Sequence, residues 1–175
     1  MTTEALREVG RLLEAARLRY VVIGAHAVNV WLEPRFTADV DVTIQADAGE
    51  FERLRRGFAA AGFTVAREHG TDLPSGPDFV RFVSADGVVI VEVQAAKTDF
   101  QREIVRRGTL TEQGVRVATV EDLIVLKLIA SRAKDRIDLE GLVRLPAVDW
   151  GYVERWALEW NVLDELHRLR APAGA

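Results

Sequence analysis

The stretch that most restricts what this chain can fold into is Tyr20 to Ile44, YVVIGAHAVNVWLEPRFTADVDVTI. Its first four residues, Tyr20-Val21-Val22-Ile23, are an unbroken apolar run of the kind buried as a strand. Gly24 follows, and a residue without Cβ permits a tight turn from strand into helix. Ala25 to Leu32 then has helical character and is stopped by Pro34. After Arg35-Phe36-Thr37-Ala38 the chain alternates strictly, Asp39-Val40-Asp41-Val42-Thr43-Ile44. Period two makes this a strand with Val40, Val42 and Ile44 on one face and Asp39, Asp41 and Thr43 on the other.

Carboxylates at i and i+2 of a strand project to the same side, where their charges repel. A positive group is needed between them. An oxygen-seeking divalent cation, Mg²⁺ above all, meets that need. The turn at Gly24 brings backbone N–H groups to the same end of the strand, where they can receive a phosphate. Metal-binding carboxylates beside a phosphate cradle point to phosphoryl or nucleotidyl transfer. His26 is read as a wall or ligand-contact residue, because Mg²⁺ prefers oxygen donors to imidazole.

The remaining residues bound the setting. At 175 residues, 49% hydrophobic and 29% charged, the chain is long and apolar enough for one domain with a proper core. It has no cysteine, so disulfides and thiolate metal sites are excluded. No apolar run approaches membrane-spanning length and the N-terminus carries no secretory pattern, so a cytoplasmic protein with no membrane partner is expected. A net charge of −4 gives no global footprint for long nucleic acid, though a local patch for an RNA end is compatible with it. Thr2 or Thr3 is expected to cap a first helix running to about Ala16. Asp47 precedes a second helix over 49–61, and Phe63 to Arg67 reads as a short strand. Glu68 to Asp78 reads as a loop, Phe79–Val83 and Val88–Val93 as a hairpin, and Asp99 to Arg107 as a helix. Leu110 to Ala118 is a second hairpin. Thr119 caps a strong helix, and Asp149 to Leu169 is helical with Trp156 and Trp160 packed inward. The tail from Ala171 to Ala175 is expected to be disordered.

Glu92 is the one charge in Val88-Val89-Ile90-Val91-Glu92-Val93. A carboxylate in a central strand is costly unless paired, so it belongs either to the acidic site or to an ion pair with an arginine. Lys127, on an otherwise apolar helical face, either meets phosphate or extends its ammonium to water.

Gly24-Ala25, a spacer of thirteen residues and Asp39-Val40-Asp41-Val42 together resemble the signature of the DNA polymerase β-like nucleotidyltransferase superfamily. Arg35-Phe36-Thr37-Ala38-Asp39-Val40-Asp41 is similar to the AbiEii-type toxin branch. So is the block Glu121-Asp122-Leu123 … Lys127 … Arg132-Ala133-Lys134-Asp135 … Asp138-Leu139. The resemblance implies an α/β (α+β) nucleotidyltransferase fold with a mixed sheet of about five strands flanked by helices. The catalytic core would span 1–118, with a helical part at 119–175 packed on it.

It further implies that Asp39, Asp41 and Glu92 are the catalytic and metal-binding residues. Gly24, Ala25, Thr37, Lys127, Arg132 and Lys134 would bind the nucleotide, with Asp135 and Asp138 orienting the cations. The implied cofactor is Mg²⁺, or Mn²⁺ in its place, with a nucleoside triphosphate as co-substrate. The acceptor would be a tRNA 3′ end or a protein hydroxyl, and a toxin would have a cognate antitoxin. Two alternatives stand beside this reading, the second supported by two departures from the pattern, Ala25 without a hydroxyl and Glu92 in place of Asp. One is an antibiotic nucleotidyltransferase acting on an aminoglycoside or lincosamide. The other is a degenerate member that only binds a nucleotide or a partner. Oligomeric state is open.

Overall fold

A computed structural model describes residues 3–70 and 76–171. In chain order it contains α1 (Thr3–Ala15), β1 (Arg19–Ile23), α2 (Gly24–Trp31), β2 (Asp39–Gln45), α3 (Ala48–Ala60), β3 (Phe63–His69), β4 (Phe79–Ser84) and β5 (Ile90–Ala95). Then follow α4 (Asp99–Arg107), β6 (Thr109–Leu110), β7 (Arg116–Val117), α5 (Val120–Ala130), α6 (Ala133–Leu142), α7 (Trp150–Glu159) and α8 (Leu163–Arg170). The expected cap at Thr2, part of the expected loop (71–75) and the tail from 172 lie outside the described residues.

The strands form one mixed sheet ordered β3-β4-β5-β2-β1-β7-β6. It has seven strands rather than about five. The expected hairpin over Leu110 to Ala118 is present as two antiparallel two-residue strands, and β7 joins β1 in parallel at Val22 and Val117. β6 lies outside β7 and pairs only with it, at Thr109 with Val117 and Leu110 with Arg116.

Period two governs the sheet's chemistry. Val40, Val42, Val80, Phe82, Val91 and Val93 are fully or almost fully buried. They meet apolar residues of the helices, including Phe51, Leu54 and Phe58 of α3, whose Phe58 ring stacks on Phe82 at 4.4 Å between centroids. At about 25 cal/mol per Å² of buried apolar surface, this layer is the main stabilising term.

Helix α3 starts at a reciprocal cap, Asp47 accepting from the Glu50 N–H while the Glu50 carboxylate accepts from the Asp47 N–H. Helix α5 is apolar on nearly every side and correspondingly buried, with Leu123, Ile124, Val125 and Leu128 inside. Two polar residues are buried within α5, Asp122 and Lys127. Asp122 accepts a hydrogen bond from the Tyr152 hydroxyl of α7 at 2.5 Å and another from Thr119 at 2.9 Å, which anchors α7 to the start of α5. Trp156 packs on Phe100 at 4.9 Å, so the last helices share the core of the sheet. Trp160 is the more exposed member of the expected pair, 36% accessible. No helix among the described residues is long and apolar enough to cross a membrane.

Candidate active site

The parallel pairing of β2 with β5 places Asp41 opposite Glu92, and the antiparallel pairing of β5 with β4 places Glu92 opposite Arg81. On the other flank Ile23 faces Asp41 from β1. Paired residues share a face of a pleated sheet, so Arg81, Glu92 and Asp41 form one row across three strands. Asp39 lies one pleat along β2 on the same face. Thr43 lies one pleat the other way, accepting a hydrogen bond from Gln94 at 2.7 Å.

This row holds more negative charge than its neighbours cancel. The Asp41 carboxyl is pushed up to about 6, first by burial, then by the charges of Glu92 and Asp39, with Arg132 working in the opposite direction. Glu92 and Asp41 also share a hydrogen bond, which favours keeping a proton on Asp41. Glu92 has a cationic partner. Its Oε1 accepts from Arg81 Nε at 2.8 Å and from Arg81 Nη2, and this bond raises the Arg81 guanidinium above its usual range. The two sequence readings of Glu92 therefore coexist: it joins the acidic row and is paired to an arginine. Arg81 is the neighbour that sequence reasoning did not single out. Its signal was the alternation Phe79-Val80-Arg81-Phe82-Val83, which puts Arg81 on the polar face.

Gly24 is required where it stands. Its φ is +65°, and a Cβ there would lie 2.8 Å from the Asp41 Cγ. The missing side chain is the space the Asp41 carboxylate occupies. Helix α2 begins at this glycine with no side-chain cap, so its first amides are not engaged by a capping side chain, and Ala25 supplies one of them. His26, two residues on, has a buried Nε2 without a hydrogen-bond partner among the described residues. Burial, the largest influence, lowers its pKa to about 4 despite the nearby Asp39 carboxylate, so the imidazole is neutral at neutral pH.

The second block has its own architecture. Lys127 is 5% exposed, and its Nζ donates to Asp135 Oδ1 at 2.9 Å and lies 2.6 Å from Asp138 Oδ2. Arg132 donates to Asp135 from Nε at 2.7 Å. Arg35, in the connection leading to β2, grips Asp138 with both Nε (3.2 Å) and Nη2 (2.7 Å). The result is an alternating ladder, Arg132–Asp135–Lys127–Asp138–Arg35. Burial alone would raise both aspartates and is the largest influence on each. The combined hydrogen bonds and charges of Arg132 with Lys127, and of Arg35 with Lys127, outweigh it and hold Asp135 and Asp138 below the usual carboxylate range.

The ladder joins α5, α6 and the 32–38 connection. Asn29 reinforces that connection by exchanging two hydrogen bonds with the Arg35 backbone. Phe36 is left 80% exposed beside Thr37, which has interactions of its own. Arg132 itself reaches outward, 59% exposed, and interacts electrostatically with Asp41 and Glu92.

Of the residues singled out from the sequence, the fold gathers Gly24, Ala25, Asp39, Asp41 and Glu92 at one end of β1, β2 and β5, with Arg132 within electrostatic reach. Lys127 is enclosed between two aspartates. Lys134 is exposed in the first turn of α6. Among the described residues, no group of three acidic or histidine side chains already stands at metal-ligand spacing. The donor set nevertheless suits a hard cation. It is all oxygen, it stands on a strand, and Asp41 is raised by burial and by the neighbouring Glu92 and Asp39 charges more than Arg132 lowers it. Asp39 and Asp41 fit as the protein ligands, while Glu92 is held by Arg81.

Three comparisons bear on this arrangement. No curated protein matches the chain by sequence. Among solved structures, an antigenic nucleotidyltransferase-like protein from Paracoccidioides brasiliensis superposes with a TM-score of 0.66 at 17% identity, over 96% of this chain and 88% of that one. The antibiotic-resistance factor ANT(2″)-Ia, studied in solution, superposes with a TM-score of 0.62 at 14% identity, over 95% and 96%. A crystal structure of ANT(2″)-Ia in complex with adenylyl-2″-tobramycin gives 0.54 at 15% identity, over 97% and 99%. At such identities the likeness establishes the fold. The sequence itself decides the family, since residues 3–170 match it throughout: this chain belongs to DUF6036, a family described as nucleotidyltransferases of unknown function.

Proposed function

We propose that this protein is a Mg²⁺-dependent nucleotidyltransferase that moves a nucleoside monophosphate from a nucleoside triphosphate to an acceptor hydroxyl. The observation that carries the reading is the register of Asp41 with Glu92, with Gly24 cut back to leave room for the Asp41 carboxylate. Asp39 and Asp41 would hold the cation, Mn²⁺ substituting for Mg²⁺. When bound, the ion supplies charge stabilisation to the phosphoryl oxygens and holds the triphosphate in place. The amides at Gly24 and Ala25 receive non-bridging phosphate oxygens, and Thr37 and Lys134 would add contacts to the nucleotide. Arg132 meets the negative charge that accumulates as pyrophosphate departs. The acceptor oxygen forms a new bond to the α-phosphorus as the bond to the bridging oxygen of the leaving pyrophosphate breaks. Glu92, released from Arg81, takes the acceptor's proton. Lys127 acts on the nucleotide through Arg132 and Arg35, by fixing the aspartates that orient them.

The resemblance to AbiEii-type proteins supports a toxin role, with a tRNA 3′ end or a protein hydroxyl as acceptor and a cognate antitoxin as partner. A second reading has a specific observation in its favour. Arg81 already neutralises Glu92, and Ala25 offers no hydroxyl, as in a member of the fold that binds a nucleotide without turning it over.

One experiment separates the two. Calorimetric titration of ATP, CTP, GTP and UTP, each with and without Mg²⁺ or Mn²⁺, is run beside incorporation of labelled nucleotide into total RNA and protein. The transferase reading expects cation-dependent affinity for at least one nucleotide and label transfer that Asp41→Asn abolishes. Affinity without any transfer selects the binding module. No cation-dependent affinity refutes the proposal.

A further inference from the structure

Beyond the acidic row, arginines concentrate on one side of the C-terminal helices. At the end of α5 a cavity of about 150 Å³ is lined by Lys127, Ser131, Arg132, Arg136, Leu139 and Leu169, among others. It adjoins a cleft of about 710 Å³ between α6 and α8, where Arg136, Arg144, Arg168 and Arg170 surround Trp150 and the one acidic residue of the lining is Glu140. Arg136 and Leu169 belong to both linings, so the two spaces run into each other. At the inner end stands Arg132, which interacts with Asp41 and Glu92. A chain whose net charge is −4 has here gathered four arginines, three of them paired with surface glutamates and Arg144 with none among the described residues.

We propose that this cleft is a binding track for single-stranded nucleic acid, laid so that the strand's 3′ end reaches the acidic site. It names the acceptor class of the transferase reading and rests on that reading for the reaction, but the cleft binds or fails to bind on its own. The arginines are available for phosphate. Arg136 pairs with Glu140 at 3.5 Å, Arg168 with Glu165 at 2.6 Å and Arg170 with Glu154 at 2.7 Å. These are solvent-facing pairs, which contribute little and are readily exchanged for phosphate oxygens. Arg144 has no ion-pair partner among the described residues.

The Arg170 guanidinium lies 3.9 Å over the Trp150 ring. An arginine placed over an indole enlarges the surface on which a base can stack, in the manner of single-strand binders generally.

The test is fluorescence anisotropy with end-labelled single strands of about 12 nucleotides, RNA and DNA of the same sequence, across about 50 to 200 mM salt. Mg·NTP affinity is measured on the same preparations. The proposal expects binding that weakens with salt. In Arg136→Gln/Arg144→Gln/Arg168→Gln, affinity falls at least about tenfold and the log–log salt slope shrinks by about 2, at roughly 0.7 per lost contact to a single strand. NTP affinity is retained. Should the triple variant not fold, Arg144→Gln alone is expected to lose about threefold. Whether RNA or DNA binds more tightly identifies the strand. The track is refuted if neither oligonucleotide binds while NTP does, if the arginine variants bind as the parent does, or if tobramycin is modified where no strand binds. If the strands bind through the arginines but NTP does not bind, the track stands and the transferase reading falls.

Discussion

Lys127→Met tests the buried ladder most directly. In the parent, one ammonium at 5% exposure serves Asp135 and Asp138, which are themselves 2% and 3% exposed. Methionine fills much of the same volume but donates nothing, so each aspartate loses a partner in a space water does not reach. Breaking a buried pair from one side costs about 3–5 kcal/mol. Here Asp135 keeps Arg132 and Asp138 keeps Arg35, so the expected loss lies at the low end, about 3 kcal/mol. With a urea m-value of about 2 kcal/mol/M, the midpoint moves down by about 1.5 M.

The pH dependence has a definite sign. Both aspartates have folded pKa values below their ordinary 3.8, so the stability they contribute is present above about pH 3.8 and is lost as pH falls through the depressed values. Removing Lys127 raises those values, so the variant's acid transition begins at higher pH. The assay is urea unfolding at neutral pH and again at about pH 4. Adding Asp135→Asn and Asp138→Asn to the same background removes the orphaned charges and should recover part of the loss. A midpoint shift below about 0.25 M for Lys127→Met would refute the ladder as the support of this region.

Gly24→Ala combines a positive φ with a Cβ that would lie 2.8 Å from the Asp41 Cγ. It should lose about 1–2 kcal/mol by thermal melting and at least about tenfold in Mg·NTP affinity by calorimetry, whereas unchanged affinity would show that Asp41 is not held at the nucleotide. Asp41, raised to about 6, binds its proton more tightly in the folded state, so the chelator-treated protein should become less stable as pH rises from about 4 to about 6. Asp41→Asn should remove that slope in melts taken across the window, and a slope that persists would assign it to another group. Tyr152→Phe removes a hydroxyl donor from Asp122, which is 0% exposed, and is expected to cost about 1–3 kcal/mol by chemical denaturation, with α7 losing amide protection first.

Much of the frame could be read from local pattern. Period-two alternation in Asp39–Ile44 put two carboxylates on one face. The apolar run before Gly24 made a buried strand, and Thr119 and Asp47 marked helix starts that the structure keeps. Each of these depends on residues within a few positions of one another, where sterics and hydrogen-bonding geometry act without help from the rest of the chain.

Other features depend on parts of the chain that meet only after folding. That Glu92 lies opposite Asp41 and also pairs with Arg81 follows from the registers of two strand pairings. Lys127 stood out in the sequence as a cation in an apolar helix, but its partners arrive from the next helix, and one of them, Asp138, is gripped in turn by Arg35, 103 residues before it. The sheet gains its sixth and seventh strands because β7 meets the edge of β1 and β6 folds back on β7. The arginine cleft needs α6 and α8 side by side, although its residues are scattered through an acidic chain. Local pattern therefore determined most of the elements and the two same-face aspartates of β2. Only tertiary structure decided which charges meet, because charge pairing is set by distance in space, and the sequence records distance along the chain.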